Sequence, residues 1–292
     1  MFADLHVHTH YSDGADTPET VVQRGAELGV GALAVTDHDA VSGLREAAAA
    51  ALAHGLGFLN GVKITSALDR LEVHVVGLGI RPESAHLKHV LTTLAEGRSR
   101  RLDLTLEKLE SLGLILARDT ILARTAGAVG RMHIAQELRD AGHVRTVQEA
   151  FDRYIGRGKP AFVPSARVPV EEAVDAIHAA GGLAFVGHPG LGGVRRHLPH
   201  LLTLSFDGIE AYHPQHKAGR VDEFIQLAEA NRLLVSGGSD CHGRAKGRRP
   251  LMGSVRVPME RYAKICAALG GHRAWLAESG DPGRPRGSLR PD

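Results

Sequence analysis

The residue types that carry metal and proton-transfer chemistry fall in short clusters along this chain. Asp4-Leu5-His6-Val7-His8 is followed by Asp13, and then by Thr36-Asp37-His38-Asp39, His74, Gly187-His188-Pro189, His213 with His216, and Ser239-Asp240-Cys241-His242. Imidazoles mixed with carboxylates suit zinc, manganese or iron(II), and several such groups around one opening suit more than one ion. His6 and His8 are two residues apart, so an extended backbone points both rings to one side. Asp240 and His242 repeat the spacing, and each pair suits one cation. By the same alternation Cys241 points away from its neighbours. The 18 histidines outnumber Phe, Tyr and Trp together (7, 4 and 1), and histidine is both the commonest metal ligand and a general acid or base near neutral pH.

Short apolar runs at 3–7, 32–36, 57–64, 72–78, 183–186, 208–212 and 233–236 alternate with Ala-, Leu- and Glu-rich stretches, the pattern of strands and helices in a parallel α/β sheet or barrel. The stretch at 17–28 opens with a capping Thr and a Pro in its first turn, and 168–180 carries apolar residues at helical period before a Gly-Gly stop. The polar clusters lie within or just after these strands. In a βα barrel the C-terminal ends of the strands surround one mouth, so groups scattered from Asp4 to His242 are expected to converge there. A buried polar group without a partner costs about 1–3 kcal/mol, which makes repeated strand-end histidines and aspartates poor core and a good site. His54, His86, His89, His143, His178, His197 and His200 read instead as ordinary surface or core residues.

Residues 81–159 lack a clear strand but contain amphipathic helices, among them 87–112 and 133–141, and read as a helical insertion between the fourth and fifth strands. Residues 1–80 and 160–277 then form a discontinuous barrel, and the Gly-, Pro- and Arg-rich stretch 278–292 reads as a disordered tail. A chain of 292 residues can build its own core. Two cysteines make neither a disulfide framework nor a zinc finger, so a reducing cytoplasm is expected. No apolar window approaches a membrane span, and the N-terminus does not resemble a signal peptide. With 35 Lys and Arg against 33 Asp and Glu, no global field draws the chain to duplex nucleic acid or anionic lipid.

The segments D-L-H-V-H-T-H-Y-S-D-G, T-D-H-D, V-H-V-V-G, G-H-P-G, G-I-E-A-Y and G-S-D-C-H-G, in that order, resemble the PHP (polymerase and histidinol phosphatase) family of metal-dependent phosphoesterases over nearly the whole chain. The insertion resembles that family's branch of nucleoside 3',5'-bisphosphate phosphatases and 5'-3' exoribonucleases, in Arg98-Ser-Arg-Arg101, Gly130-Arg-Met-His-Ile-Ala135 and Phe151-Asp-Arg-Tyr-Ile-Gly-Arg-Gly-Lys-Pro160. The resemblance implies a distorted (β/α)7 TIM-like barrel with a helical cap, holding two to three divalent ions of Mn, Zn, Fe or Mg. It assigns His6, His8 and Asp240 to a first ion, His74 and His188 to a second, and Asp13, His38 and His242 to a third. Asp4 and Asp37 would orient imidazoles from behind, Asp37 counting among the catalytic residues. His216 aligns with a family histidine near the substrate and would protonate the leaving group; His213 follows it less closely.

The match departs from the family after Leu59-Asn-Gly-Val, where a glutamate bridging the first two ions is replaced by Lys63. Two dications about 3.5–4 Å apart need an anion between them, and an ammonium has the wrong charge. Four outcomes follow: the site loses an ion, a carbamylated Lys63 restores the carboxylate, Glu72 on the face of His74 substitutes, or the protein is altered or inactive. The implied reaction is hydrolysis of a nucleotide phosphate monoester or diester by metal-activated hydroxide. The implied substrates are a nucleoside 3',5'-bisphosphate or short 5'-phosphorylated RNA, bound by Arg98, Arg101, Arg131, His133, Lys159 and His213, since guanidinium forks match phosphate oxygens. Two alternatives stay open: a histidinol-phosphate-type phosphatase, and a nonhydrolytic phosphate-binding regulatory protein kept in play by Lys63.

Overall fold

The computed structural model describes residues 1–244 and 251–270, so the expected tail at 278–292 lies outside the described residues. Eight strands form one sheet: β1 (Phe2–Val7), β2 (Val30–Val35), β3 (Gly57–Leu68), β4 (Leu71–Leu78), β5 (Val168–Pro169), β6 (Leu183–Val186), β7 (Gly208–Tyr212) and β8 (Leu234–Gly237). Their order is β1-β2-β3-β4-β6-β7-β8, with the two-residue β5 beside β3. Alternation along the strands builds two apolar layers. Ala3, Leu5, Ala32, Ala34, Leu59, Val76, Leu78 and Phe185 pack inward with Ile265 of helix α10 (Met259–Ala268). Phe2, Val7, Leu33, Val35 and Val75 pack outward under α1 (Pro18–Glu27), α2 (Leu44–Ala53), α7 (Val170–Ala179) and α9 (Ala218–Ala230). Helix α1 starts where the sequence requires it, with Thr17 Oγ1 accepting from Thr20 N and Pro18 as the first helical residue.

The all-parallel expectation is corrected at β4, which runs antiparallel to both β3 and β6. Only Asp69 and Arg70 separate β3 from β4, too few for a crossover helix, and Asp69 turns the chain with φ of 53°. The reversal brings the N-terminal half of β4 to the mouth formed by the C-terminal ends of its neighbours, and His74 with it. Backbone bonds from His8 N to Cys241 O and from Asp240 N to His6 O, both 2.9 Å, tie β1 to the segment after β8.

A bulge aims the first histidines. Between the Asp4↔Leu33 and Val7↔Val35 pairings β1 uses one residue more than β2. Ala3 and Leu5 therefore join the inner layer while Val7 joins the outer one, leaving His6 and His8 on the inner side.

Between β4 and β5 lie α3 (Ala85–Glu110), α4 (Arg118–Leu122), α5 (Arg131–Asp140), α6 (Val147–Ala150) and a π-helical turn at Phe151–Ile155. They share a separate core of Leu102, Leu109, Ile121, Ile134, Leu138 and Ile155. The boundary at residue 81 does not divide the packing cleanly, because Leu87, Val90, Leu91 and Leu94 in the first half of α3 join the main core. Helix α3 thus anchors the insertion to the sheet. Beyond β6 come a short 3-10 turn (Val194–His197) and α8 (Leu198–Leu201).

Candidate metal centre

Two groups of ligand-type atoms converge at the mouth: His6, His8 and Asp240, and His8, Asp13, His38 and His242. In the first, Asp240 Oδ1 lies 2.9 Å from His8 Nε2 and 3.1 Å from His6 Nε2. In the second, Asp13 Oδ1 lies 3.0 Å from His242 Nε2 and 4.0 Å from His8 Nδ1. His74 Nδ1 faces His188 Nε2 at 3.1 Å. The equal spacing of Asp240 and His242 does not put both on one ion. Asp240 has φ of 47°, so the extended alternation breaks there, and the two side chains serve different groups. Cys241 does point away, into the outer apolar layer. Asp39 and His188 share the left-handed backbone, with φ of 51° and 27°; such strain in residues other than glycine collects at functional sites.

The donor set fits divalent cations. The buried ring nitrogens His38 Nδ1 and His188 Nδ1 make no hydrogen bond, while His6 Nε2, His213 Nε2 and His242 Nε2 face the carboxylate oxygens of Asp240 and Asp13; for the first two, coordination removes the cost of an unpaired buried polar atom. Burial holds His8, His38 and His74 well below the ordinary histidine range, helped by the Lys63 ammonium, and takes His188 down to about 3. These imidazoles are neutral with lone pairs available, as metal ligation requires. Asp240 stays ionised because Lys63 and His6 outweigh the burial that would raise it.

Behind the ligands stands a residue to which sequence reasoning gave no role. Glu210, 1% exposed in the middle of β7, accepts from His6 Nδ1 and from His188 N, each at 2.6 Å. It thereby fixes the His6 tautomer with Nε2 turned to Asp240. The available signal was a carboxylate inside the otherwise apolar run Gly-Ile-Glu-Ala-Tyr. Asp37 and Asp4, expected in this orienting role, do not touch an imidazole. Asp37 accepts from Thr9 N, Thr9 Oγ1 and Ser12 Oγ and holds the loop after β1, and Asp4 accepts from Ser239 N.

Beside Asp13, His38 and His74 opens a cleft of about 210 Å³, lined also by Glu72, Arg98, Arg101, Arg131 and Phe151. Its arginines differ. Arg98 is already matched, its Nε and Nη2 both donating to Asp39 Oδ2, and Asp39 also accepts from Thr65 N and Oγ1. Arg101 is 5% exposed, donates to Ser165 Oγ at 2.7 Å, and is pushed down to about 9 by burial and by Arg98 and Arg131. Arg131 lies with its guanidinium 5.6 Å from the Phe162 ring centre. Among the described residues neither Arg101 nor Arg131 has a carboxylate within ion-pair distance.

Several expectations need correction. His216 is not free to protonate a leaving group: Nδ1 bonds Ala211 O at 2.8 Å and Nε2 accepts from Gly190 N at 3.2 Å. Lys159 is exposed and does not line the cleft. His133 is buried and accepts from Gly130 N at the start of α5, so it shapes the insertion. His213 stands on the metal side, Nε2 3.6 Å from Asp240 Oδ2. Glu72 is held by Arg167 and approaches His74 at Nε2, the ring nitrogen turned away from His188, so it does not bridge the ligand groups.

A mouth of neutral imidazoles and carboxylates beside uncompensated guanidiniums calls for divalent cations next to a bound anion, and known proteins agree. The chain belongs to the PHP domain family, whose model matches residues 4–155, and is a metal-dependent phosphoesterase. It is 38% identical over 262 residues to the 3',5'-nucleoside bisphosphate phosphatase of Chromobacterium violaceum, covering 87% of this chain and 92% of that protein. It is 34% identical over 248 residues to the 5'-3' exoribonuclease Rnm of Escherichia coli, covering 82% and 84%. A solved structure from Bifidobacterium adolescentis described as a metal-dependent phosphoesterase matches with a TM-score of 0.83 and 28% identity, over 90% of this chain and 95% of that one.

Proposed function

We propose that this phosphoesterase acts on nucleotides carrying a second phosphate: nucleoside 3',5'-bisphosphates and short 5'-phosphorylated RNA. The observation that carries the reading is the cleft lined both by Asp13, His38 and His74 and by the buried Arg101 and the half-buried Arg131, neither of which is ion-paired to a carboxylate among the described residues. A single phosphate at the ligand cluster leaves those guanidiniums unused; a second phosphate gives them the anion that burial makes costly to lack. The relatives' names point the same way.

Asp13, His38 and His242 would hold a divalent ion, with His6, His8 and Asp240 as the neighbouring group. When bound, such an ion acidifies water and neutralises phosphoryl oxygens. The chain's own residues do the rest. Glu210 sets the His6 tautomer, and Asp37 fixes the loop that carries Asp13. Arg98, neutralised by Asp39, braces the wall against which Arg101 and Arg131 receive the distal phosphate, and Phe151 and Met132 offer an apolar surface to the nucleoside.

Phosphate release and RNA shortening under Mn²⁺, with a chelator control, test the reading. The panel is a nucleoside 3',5'-bisphosphate, its 3'- and 5'-monophosphates, 5'-phosphorylated and 5'-hydroxyl RNA, and histidinol phosphate. The bisphosphate and 5'-phosphorylated RNA should lead in kcat/KM by about tenfold or more, the worth of one charge-assisted bond. Equal rates for monophosphates, or a preference for histidinol phosphate, would contradict it.

A further inference from the structure

We propose that Lys63 takes the place of a metal ion in this chain: one dication sits at Asp13, His38 and His242, and the Lys63 ammonium is a fixed cation in the adjoining group of His6, His8 and Asp240. The inference rests on the phosphoesterase reading only in supposing a divalent cation, and goes beyond it in number and place.

The geometry around Asp240 carries the argument. Ligand atoms about 2.1 Å from a common ion stand roughly 3 Å from one another. Asp240 Oδ1 has His8 Nε2 at 2.9 Å and His6 Nε2 at 3.1 Å, and Lys63 Nζ is also at 3.1 Å, with 3.4 Å to His8 Nε2. The ammonium therefore stands where another ligand atom of that shell would be. It has three donors and no lone pair, so it cannot coordinate. At 2% exposure little water screens it from a dication placed between His6, His8 and Asp240. Its bond to Asp240 already supplies the positive charge that this carboxylate needs.

The other ligands separate by the same test. His74 and His188 face each other at 3.1 Å, two imidazoles without a carboxylate between them, since Glu72 is engaged by Arg167. That is fewer than the three protein ligands usual for a catalytic zinc-type site. Asp13, His38 and His242 offer three besides the His8 that the two groups share, and Lys63 Nζ bonds Asp240 and His8 Nε2, the His8 nitrogen on the Asp240 side.

The test counts ions without reference to activity. Apo protein is equilibrated with Mn²⁺ and bound metal is measured by equilibrium dialysis with elemental analysis, alongside the Mn²⁺ paramagnetic resonance signal. Wild type should hold about one ion tightly and give an uncoupled spectrum. D13N should lose at least about tenfold in affinity, and K63M, which frees Asp240, should gain a second ion per chain. Two or more tight ions in wild type, an unchanged D13N, or K63M binding no more than wild type would overturn the proposal. So would a second wild-type ion that appears only with bicarbonate, the mark of a carbamylated Lys63. If K63M does not fold, the wild-type and D13N counts decide. Failure of the substrate panel with one tight ion at Asp13 would strike the substrate reading and leave this one standing.

Discussion

Replacing Arg101 with methionine should weaken the enzyme toward doubly phosphorylated substrates while leaving the fold as stable as before, or more so. Arg101 is 5% exposed and its one bond is to a neutral hydroxyl, Ser165 Oγ at 2.7 Å. Burial and the nearby Arg98 and Arg131 charges push it down to about 9 from 12.5. A base whose folded value is depressed is destabilising in its charged form. The penalty is complete below about pH 9 and fades only as pH rises toward the unfolded value. Methionine fills similar space without the charge, so R101M should unfold at the same temperature as wild type or a few degrees higher at neutral pH. The distal phosphate, in contrast, loses charge-assisted bonds worth about 1.5–3 kcal/mol, which is roughly 10- to 150-fold in kcat/KM. The assay compares a nucleoside 3',5'-bisphosphate with its 3'-monophosphate and records thermal unfolding beside it. Equal losses on both substrates would place Arg101 at the reacting phosphate or in general architecture. Marked destabilisation would mean that its charge is compensated after all. Either result would refute the reasoning.

The Glu210 amide variant E210Q tests the orienting carboxylate. An amide offers one oxygen to the two donors His6 Nδ1 and His188 N, so the metal-free protein should lose about 1–3 kcal/mol of stability in chemical denaturation. Its pH profile should change as well. Burial lowers His6, but Glu210 and Asp240 outweigh it and raise it to about 9 in the metal-free protein. That contribution is complete below 6.5 and is lost as pH rises through about 9; metal-free wild type should therefore soften across that interval and E210Q should not, whereas parallel profiles would remove Glu210 as the cause. With H216Q, whose parent ring bonds backbone at both nitrogens, alkyl and nitrophenyl phosphate esters should slow by the same factor; a selective loss on the alkyl ester would restore His216 as proton donor.

Reading strand ends placed the metal-type residues well, because a buried imidazole or aspartate at the end of an apolar run has few roles other than a site. His6, His8, His38, Asp240 and His242 were legible in this way, and they do stand together in the two ligand groups. Orientation was less legible. The β4 reversal depends on the short link at Asp69 and Arg70, which a run of apolar residues does not reveal, and His74 owes its place at the mouth to that reversal. The extra residue in β1 is likewise a matter of register, invisible until β1 and β2 are paired. Side chains that neutralise one another across the fold were hardest. Arg98 reads as a phosphate fork until Asp39, 59 residues away, is seen to occupy it, and Glu210 gains its role only from His6, 204 residues away. Lys63 is the reverse case. Its identity was plain in the sequence, and the distances to Asp240 and His8 supply what it does there.

Anomalous diffraction from crystals equilibrated with Mn²⁺ tests most directly the claim that these scattered side chains form one cation-holding mouth. The strongest peak should fall within coordination distance, about 2.0–2.3 Å, of the Asp13 carboxylate and the His38 and His242 rings. Loaded crystals with no manganese peak among those three side chains would contradict the account.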